Sequence, residues 1–262
     1  ALGPHEAPNQ PAQYAPAPTE PAPAAAEAAA PTPAPAPTAQ AVTPAPAYVA
    51  SPPEDVTYFY NDLAPYGTWV SLAGVGWCWQ PTVVVVNRGW RPYCHGGNWV
   101  YTDAGWFWRS DYSWGWAPFH YGRWYMDASC GWVWVPGRVW APAWVTWRSV
   151  GTTCGWAPLP PGADFVAGIG WRYNGFAVAA NFTFGLGVDA FAFVSFNNFC
   201  ANNLSYHCLP PAHVRGIYHQ TTIINNFAVV NNVYVNRGIG FSAAPIRFGS
   251  RPELTLFRLR GG

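Results

Sequence analysis

The sequence predicts an all-β protein whose central part is a tandem of short antiparallel hairpins rich in tryptophan. Sixteen of the 17 tryptophans fall between Trp69 and Trp156, most of them in one recurring phrase. Between Trp69 and Pro161, large apolar residues alternate with small or polar ones, and Gly, Pro, Asn or Asp interrupts the run every 8 to 12 residues. That period and spacing are typical of short strands joined by turns. No helix is predicted in this range.

The recurring phrase has two halves, and each copy is predicted to form one hairpin. The second half begins with Gly-Trp, and its Trp recurs at steps of 29, 26 and 24 residues, which is about the length of two short strands with their turns. Its copies are Gly76–Pro81, Gly105–Trp108, Gly131–Pro136 and Gly155–Pro158. The first halves are Trp69–Val70, Trp99–Val100, Arg123–Trp124 and Trp144–Val145.

Residues 1–53 are predicted to be an extended tail. They contain 15 of the 28 prolines, much alanine and few larger apolar residues. Pro-Ala alternation fixes φ and removes amide donors, which favours polyproline II over a packed sheet. Four threonines beside prolines resemble those of an O-glycosylated stalk: Thr19, Thr32, Thr38 and Thr43.

Residues 54–165 are predicted to be the Trp-rich domain. Its first segment, Asp55–Tyr60, alternates in a way that suits a strand, and Ala64–Gly67 suits a turn. We expect Trp116, Trp124 and Trp132 to be mostly buried. A buried tryptophan contributes a large apolar area, so the rings can form a core; exposed rings would instead stack on sugars.

Residues 166–262 are predicted to be a second β segment in which phenylalanine replaces tryptophan. The expected strands are Phe176–Val178, Phe182–Phe184 and Phe191–Phe196, with a turn at Gly185–Gly187 between the last two. A loop from Cys200 to Cys208 and the pair Pro210-Pro211 precede the final strands.

The final strands are predicted to take part in assembly. Asn-Asn occurs twice, six residues apart, with β-branched residues between the copies, as in the rungs of a solenoid or a stacked asparagine ladder. Two copies are too few to form a stable stack alone, so these strands are expected to pack against further strands from the same chain or from another copy. The residues assigned to assembly are Ile223, Ile224, Asn225, Asn226, Val229, Val230, Asn231, Asn232 and Val233.

Six cysteines without any C-x-x-C spacing favour disulfides over zinc or dithiol chemistry, and the alternative is six buried free thiols in a cytosolic protein. Fifteen pairings are possible. The simplest joins sequence neighbours, each pair closing one local loop: Cys78–Cys94, Cys130–Cys154 and Cys200–Cys208.

Charge and hydropathy restrict the partners and the compartment. The net charge is +1 and all 13 basic residues are arginine; residues 166–262 carry seven Arg and two acids. This positive charge is too dilute to predict nucleic-acid binding. No apolar run reaches the roughly 18 residues of a membrane span. A low-complexity start at Ala1 is what signal-peptide removal leaves, so we expect an exported, secreted or cell-surface protein.

No enzyme, metal or cofactor is predicted. The best polar constellation for acid–base chemistry is Asp103, Asp111, His120 and Arg123, but both aspartates lie in turn contexts where Asp bonds its own backbone. His207, His213 and His219 with Cys200 and Cys208 match no common zinc spacing.

Several longer motifs resemble a known family. They are Tyr66–Val70, Gly97–Tyr101, Trp114–Trp124, Gly131–Gly137 and Gly155–Pro160, and the run Trp114–Trp124 is the most specific. Over about residues 58–165 the chain is similar to exported bacterial tryptophan-rich proteins of unknown function, which often accompany FecR-type domains. The resemblance implies export and a compact β module, and it brings no catalytic residues.

Taken together, these features predict an exported structural protein, a self-assembling filament or matrix subunit held by exchange of strands or tails between copies. We therefore expect a homo-oligomer or polymer. The alternative is a module that binds polysaccharide or cell wall through exposed tryptophans.

Overall fold

The computed structural model describes residues 54–240, and it confirms the all-β prediction. The predicted tail with its four threonines, and residues 241–262, lie outside the described residues. Four antiparallel hairpins follow one another: β1 (Gly67–Leu72) with β2 (Gly76–Pro81), β3 (Gly97–Thr102) with β4 (Gly105–Ser110), β5 (Arg123–Asp127) with β6 (Gly131–Val135), and β7 (Val145–Val150) with β8 (Thr153–Pro158).

In the described residues, seven further strands follow the four hairpins, and three α-helices lie before, between and after them. The strands are β9 (Ala163–Val166), β10 (Gly170–Tyr173), β11 (Phe176–Ala177), β12 (Ala192–Ser195), β13 (Thr222–Ile224), β14 (Phe227–Val230) and β15 (Val233–Asn236). The α-helices are α1 (Glu54–Leu63), α2 (Thr82–Val86) and α3 (Pro211–Ile217). Single 3₁₀ turns lie at Ala64–Tyr66, Val188–Ala190, Phe196–Asn198, Leu204–His207 and Tyr218–Gln220.

The later strands complete the sheets of the earlier hairpins. The sheet orders are β1-β2-β6-β5, β12-β8-β7-β13, β14-β15-β4-β3 and β11-β10-β9. The β14–β15 hairpin joins β4 through one parallel pairing, Asn236 with Gly105. Residues 166–240 thus share two sheets with the Trp-rich hairpins.

The repeat in the sequence has a direct structural meaning: each hairpin places one tryptophan directly opposite another. The pairs are Trp69 with Trp79, Trp99 with Trp108, Trp124 with Trp134, and Trp147 with Trp156. Cross-strand aromatic pairs stabilise a hairpin beyond the area they bury. In the fourth copy the paired residue is Trp147, whereas the sequence predicted a start at Trp144.

Glycines that begin a first strand make room for these rings. A Cβ on Gly97 would lie 2.8 Å from the Trp108 ring, and a Cβ on Gly122 would lie 2.7 Å from Nε1 of Trp134. Gly67 has the same relationship to Trp79. In the first three hairpins, a glycine at or just before the first strand is therefore required by the close approach of the ring and of a carbonyl of the opposite strand, whereas β7 begins without a glycine.

The tryptophans form the core. Of the 16 between Trp69 and Trp156, twelve are buried, and Trp69, Trp77, Trp116 and Trp140 are half-buried. The predicted burial of Trp124 and Trp132 is confirmed, and Trp116 is half-buried, packed beside Phe59. A second cluster surrounds Trp144, Trp171 and Phe227.

The first predicted strand is wrong, because residues 54–63 form helix α1. Its buried side chains are Val56, Phe59 and Leu63, and their spacing of three and four residues places them on one helical face. Phe59 packs edge-on against Trp134 at 5.0 Å, so the helix covers one end of the tryptophan core. The five-residue helix α2 also contradicts the expectation of no helix between Trp69 and Pro161.

The predicted strand Phe182–Phe184 is wrong as well. This segment is a turn in which Phe184 has φ 53° and is almost completely buried against Trp171, with ring centroids 5.3 Å apart. Strands are formed near the other two sites, at Phe176–Ala177 and Ala192–Ser195. Packing of one aromatic ring has outweighed the alternation of the sequence.

Candidate interaction site

The residues assigned to assembly form a corner between two sheets. Ile223 and Ile224 lie on β13, which pairs with β7 and ends one sheet. Val229 and Val230 lie on β14, which ends a different sheet. Within residues 54–240, no further strand pairs with the outer edge of β13 or β14. We call these two strands and the residues between them the edge corner.

The edge corner consists of two short strands, of three and four residues, and it carries neither the charges nor the prolines that protect many edge strands. Residues 221–236 contain no charged residue and no proline. Natural proteins usually block a free edge with charges, prolines or bulges, because its unpaired backbone groups can accept another strand. Val230 exposes 45% of its surface at this edge. The backbone and the side chains here both favour pairing with a further strand.

An open groove of about 600 Å³ adjoins the edge corner. Ile223, Asn226 and Phe227 form one wall, while Phe165 and Ile169 contribute from the β9–β10 hairpin. Ile169 exposes 64% of its surface. The groove therefore offers a mostly apolar surface beside the free edges.

Asn225 fixes the corner. Its side chain is buried, its Oδ1 accepts a hydrogen bond from Thr146 Oγ1, and its Nδ2 donates to the carbonyl of Phe182 at 3.1 Å. Its own carbonyl accepts from the Trp171 indole at 3.0 Å. Asn225 thus connects β7, the turn at Phe182 and β10. Its amide bonds these neighbours, so it does not form a rung with another asparagine.

The second asparagine pair is a hairpin turn. Asn231 and Asn232 have φ of 50° and 60° and connect β14 to β15. Two consecutive residues with positive φ are characteristic of a two-residue type I′ turn, which asparagine adopts more readily than most residues. The predicted solenoid rungs are therefore replaced by one ordinary hairpin.

The polar constellation considered for acid–base chemistry serves the fold. His120 is buried with Nδ1 3.2 and 3.1 Å from the carbonyls of Ala141 and Pro142, so Nδ1 carries a proton and donates. Burial lowers the pKa of His120 to about 4. Its ring stacks on Phe107 at 4.4 Å. Asp103 and Asp111 are exposed on turns.

Arg123 is also structural. Its Nε donates to the carbonyl of Ala163 at 2.7 Å, its Nη2 forms an ion pair with Asp164 at 3.2 Å, and its guanidinium lies 3.7 Å above the Trp144 ring. Burial lowers the pKa of Arg123 to about 10, which leaves it charged at neutral pH. The group therefore joins β5 to β9 and to the second aromatic cluster.

The structure contains no disulfide among the six cysteines, all of which lie in the described residues. The predicted neighbour bonds Cys78–Cys94, Cys130–Cys154 and Cys200–Cys208 are not formed. Cys94 Sγ instead lies 3.1 Å from Cys208 Sγ. The disulfide framework stays a prediction, and Cys94 and Cys208, which the neighbour pairing assigned to different bonds, are in contact.

Metal ligation and membrane crossing were two further possibilities for the residues that the structure describes. In residues 54–240, no three His, Cys, Asp or Glu side chains, those of His207, His213 and His219 included, come together in a way that could hold a metal ion. None of the helices in this range combines the length and hydrophobicity that a membrane crossing requires.

The four tryptophan hairpins resemble a known protein family. Residues 60–163 match a family of unknown function, DUF6600. The DUF6600-like region begins in α1 and ends at the start of β9, so it contains every cross-strand tryptophan pair and stops before the edge corner. No curated protein and no solved structure matches the chain.

Proposed function

We propose that this chain is an exported structural subunit that assembles with copies of itself by strand addition at the edge corner. The observation that carries the proposal is an uncharged, proline-free run, residues 221–236, which contains β13 and β14, the terminal strands of two sheets. Strand addition to an exposed edge is a common mode of protein assembly.

A second copy is the occupant that the chemistry favours. Strand pairing needs backbone N–H donors, and proline lacks one. Residues 1–53 contain 15 prolines, so the tail suits a ladder poorly, whereas residues 221–236 have a full set of donors. An edge that pairs with a different edge of the next copy forms a head-to-tail contact, and repetition of a head-to-tail contact whose rotation does not close into a ring yields a filament.

A lysine substitution tests this mode of assembly. Val230→Lys places a charge on the exposed edge of β14, and Val139→Lys places one at a similarly exposed valine outside the edge corner, 49% exposed against 45%. We expect sedimentation of the wild type and of Val139→Lys to show a series of polymers, and that of Val230→Lys to show monomers. Wild-type monomers at micromolar concentration would contradict self-assembly, and a single closed dimer would contradict the filament.

The alternative is binding of polysaccharide or cell wall through exposed tryptophans. Burial of the rings makes this alternative weaker than assembly. Twelve of the 16 rings between Trp69 and Trp156 are buried and four are half-buried, which leaves small areas for stacking on sugars. Retention on a cell-wall polysaccharide column, lost in a Trp116→Ala or Trp140→Ala variant that keeps the wild-type melting temperature, would favour this alternative over assembly.

A further inference from the structure

Two cysteines far apart in sequence meet at one cleft. Cys94 lies in the turn before β3 and is 3% exposed, whereas Cys208 follows the 3₁₀ turn Leu204–His207 and is half-buried. Their Sγ atoms are 3.1 Å apart across a separation of 114 residues. A disulfide bond measures about 2.05 Å, so an approach of about 1 Å would bring the sulfurs to bonding distance.

The cleft beside this pair has a volume of about 290 Å³ and is lined by both cysteines, Arg91, Ser205 and Leu209, among others. Arg91 is held there because its guanidinium donates to the carbonyl of Phe191 at 3.2 Å and to that of Asp189. A positive charge is thereby fixed at the wall of the cleft.

We propose that Cys94 and Cys208 form a disulfide by exchange with a small disulfide oxidant that enters this cleft. The Cys208 thiolate attacks one sulfur of the oxidant and releases its other half as a thiolate. The Cys94 thiolate then attacks Cys208 Sγ, and the second half leaves. The protein loses two protons and two electrons, and one oxidant disulfide becomes two thiols.

The order of attack follows from the environments of the two thiols. The hydrogen bond from the Cys94 thiol and the charge of Arg91 lower the pKa of Cys208. The same contact with Cys208, together with burial, raises the pKa of Cys94. Cys208 is also the more exposed of the two. Thiolate character and access together decide which cysteine reacts first.

The bond would connect two parts of the chain that the sequence presents as separate segments. Cys94 belongs to the tryptophan hairpins, and Cys208 belongs to the segment that follows β12. Three local bonds between sequence neighbours would leave those parts joined by shared sheets and packing, without a covalent cross-link between them. The proposed bond would therefore connect the tryptophan hairpins covalently to the later segment, which the neighbour pairing does not do.

Peptide mapping of the wild-type chain tests the pairing. The full protein is incubated with oxidised glutathione under native conditions, alkylated and digested without reduction. We expect a peptide pair joined through Cys94 and Cys208 that disappears on reduction. Recovery of Cys78 joined to Cys94, or of Cys200 joined to Cys208, would overturn the proposal, as would alkylation of both Cys94 and Cys208.

Single serine variants test the order. In Cys94→Ser the second thiol is missing, so Cys208 should accumulate a glutathione adduct; in Cys208→Ser the buried Cys94 should remain unmodified. Cys130→Ser should behave as the wild type, and near-ultraviolet circular dichroism should show that all three variants keep the tryptophan core. An adduct at Cys94 in Cys208→Ser, with none at Cys208 in Cys94→Ser, would overturn the order of attack.

Discussion

The indole N–H of Trp147 donates to Oδ1 of Asn236 at 2.9 Å, which joins the fourth tryptophan hairpin to the last strand described. Asn236 is fully buried, and its Nδ2 donates to the carbonyl of Ala143 at 3.1 Å. Its backbone N–H donates to the carbonyl of Ala104 at 2.9 Å. One asparagine therefore connects β15, β7 and the turn before β4.

Replacing Asn236 should destabilise the whole protein. Asn236→Ala leaves the Trp147 N–H and the Ala143 carbonyl buried without partners, at about 1 to 3 kcal/mol each. Denaturant titration followed by tryptophan fluorescence measures the loss. Asn202→Ala, at an exposed position, is the matched control and should change little. Equal stability of both variants would show that Asn236 does not connect the sheets.

A methyl group at Gly97 should disturb the second hairpin. The Cβ of Gly97→Ala would lie 2.8 Å from the Trp108 ring, and such overpacking costs about 1 to 3 kcal/mol. Gly187→Ala is the control, because Gly187 has φ −82° and no neighbour within 4 Å of an added Cβ. Thermal melts of the two variants should separate clearly; a Gly97→Ala melt at the wild-type temperature would refute this explanation of the repeat.

Two equally buried tryptophans should respond differently to phenylalanine. The indole of Trp156 donates to the Tyr93 carbonyl at 2.8 Å, whereas that of Trp124 has no hydrogen-bond partner in the structure. Both variants lose similar ring volume, but Trp156→Phe also leaves a buried carbonyl unpaired. We expect Trp156→Phe to be less stable than Trp124→Phe by about 1 to 3 kcal/mol in urea titrations. The reverse order would contradict the assigned bond.

Stability should fall as the pH drops from about 6.5 toward 4. Burial lowers the pKa of His120 to about 4, so in this window the unfolded chain binds a proton that the native protein does not. The contribution is up to about 3 kcal/mol. His120→Gln keeps a donor for the Ala141 and Pro142 carbonyls and should flatten this dependence in urea titrations across the window.

His95 needs its own variant in that experiment, because burial also lowers its pKa. His95→Gln should remove only its own part of the pH dependence. If His120→Gln retains the full wild-type slope, the imidazole of His120 is not the group that titrates on unfolding.

The four hairpins could be predicted from the sequence because their signals are local. Each copy of the repeat supplies both paired tryptophans and the turn glycines within about 30 residues. Helix α1 could also have been predicted, since Val56, Phe59 and Leu63 follow helical spacing, but the alternation within Asp55–Tyr60 favoured a strand. Competing periods over ten residues are difficult to resolve by inspection.

The strands of the edge corner could be predicted from the sequence, their arrangement could not, and their role in assembly stays a prediction. The run 223–233 was singled out correctly as strand-forming, but its asparagines were interpreted as ladder rungs. Asn225 bonds Thr146 and Phe182, residues 79 and 43 positions away, and no local pattern encodes such partners. The contact between Cys208 and Cys94 could not be predicted from the sequence for the same reason, because it depends on the pairing of distant strands.

The late position of β15 has a consequence for synthesis on the ribosome. Hairpins such as β3–β4 involve only near neighbours and can form as soon as they emerge, but the Trp106 indole finds its acceptor, the Ile239 carbonyl, 133 residues later. Until then the incomplete chain presents aromatic surface and a free β4 edge to its surroundings. A nascent or truncated chain that ends before residue 233 should therefore depend on a chaperone to stay dispersed.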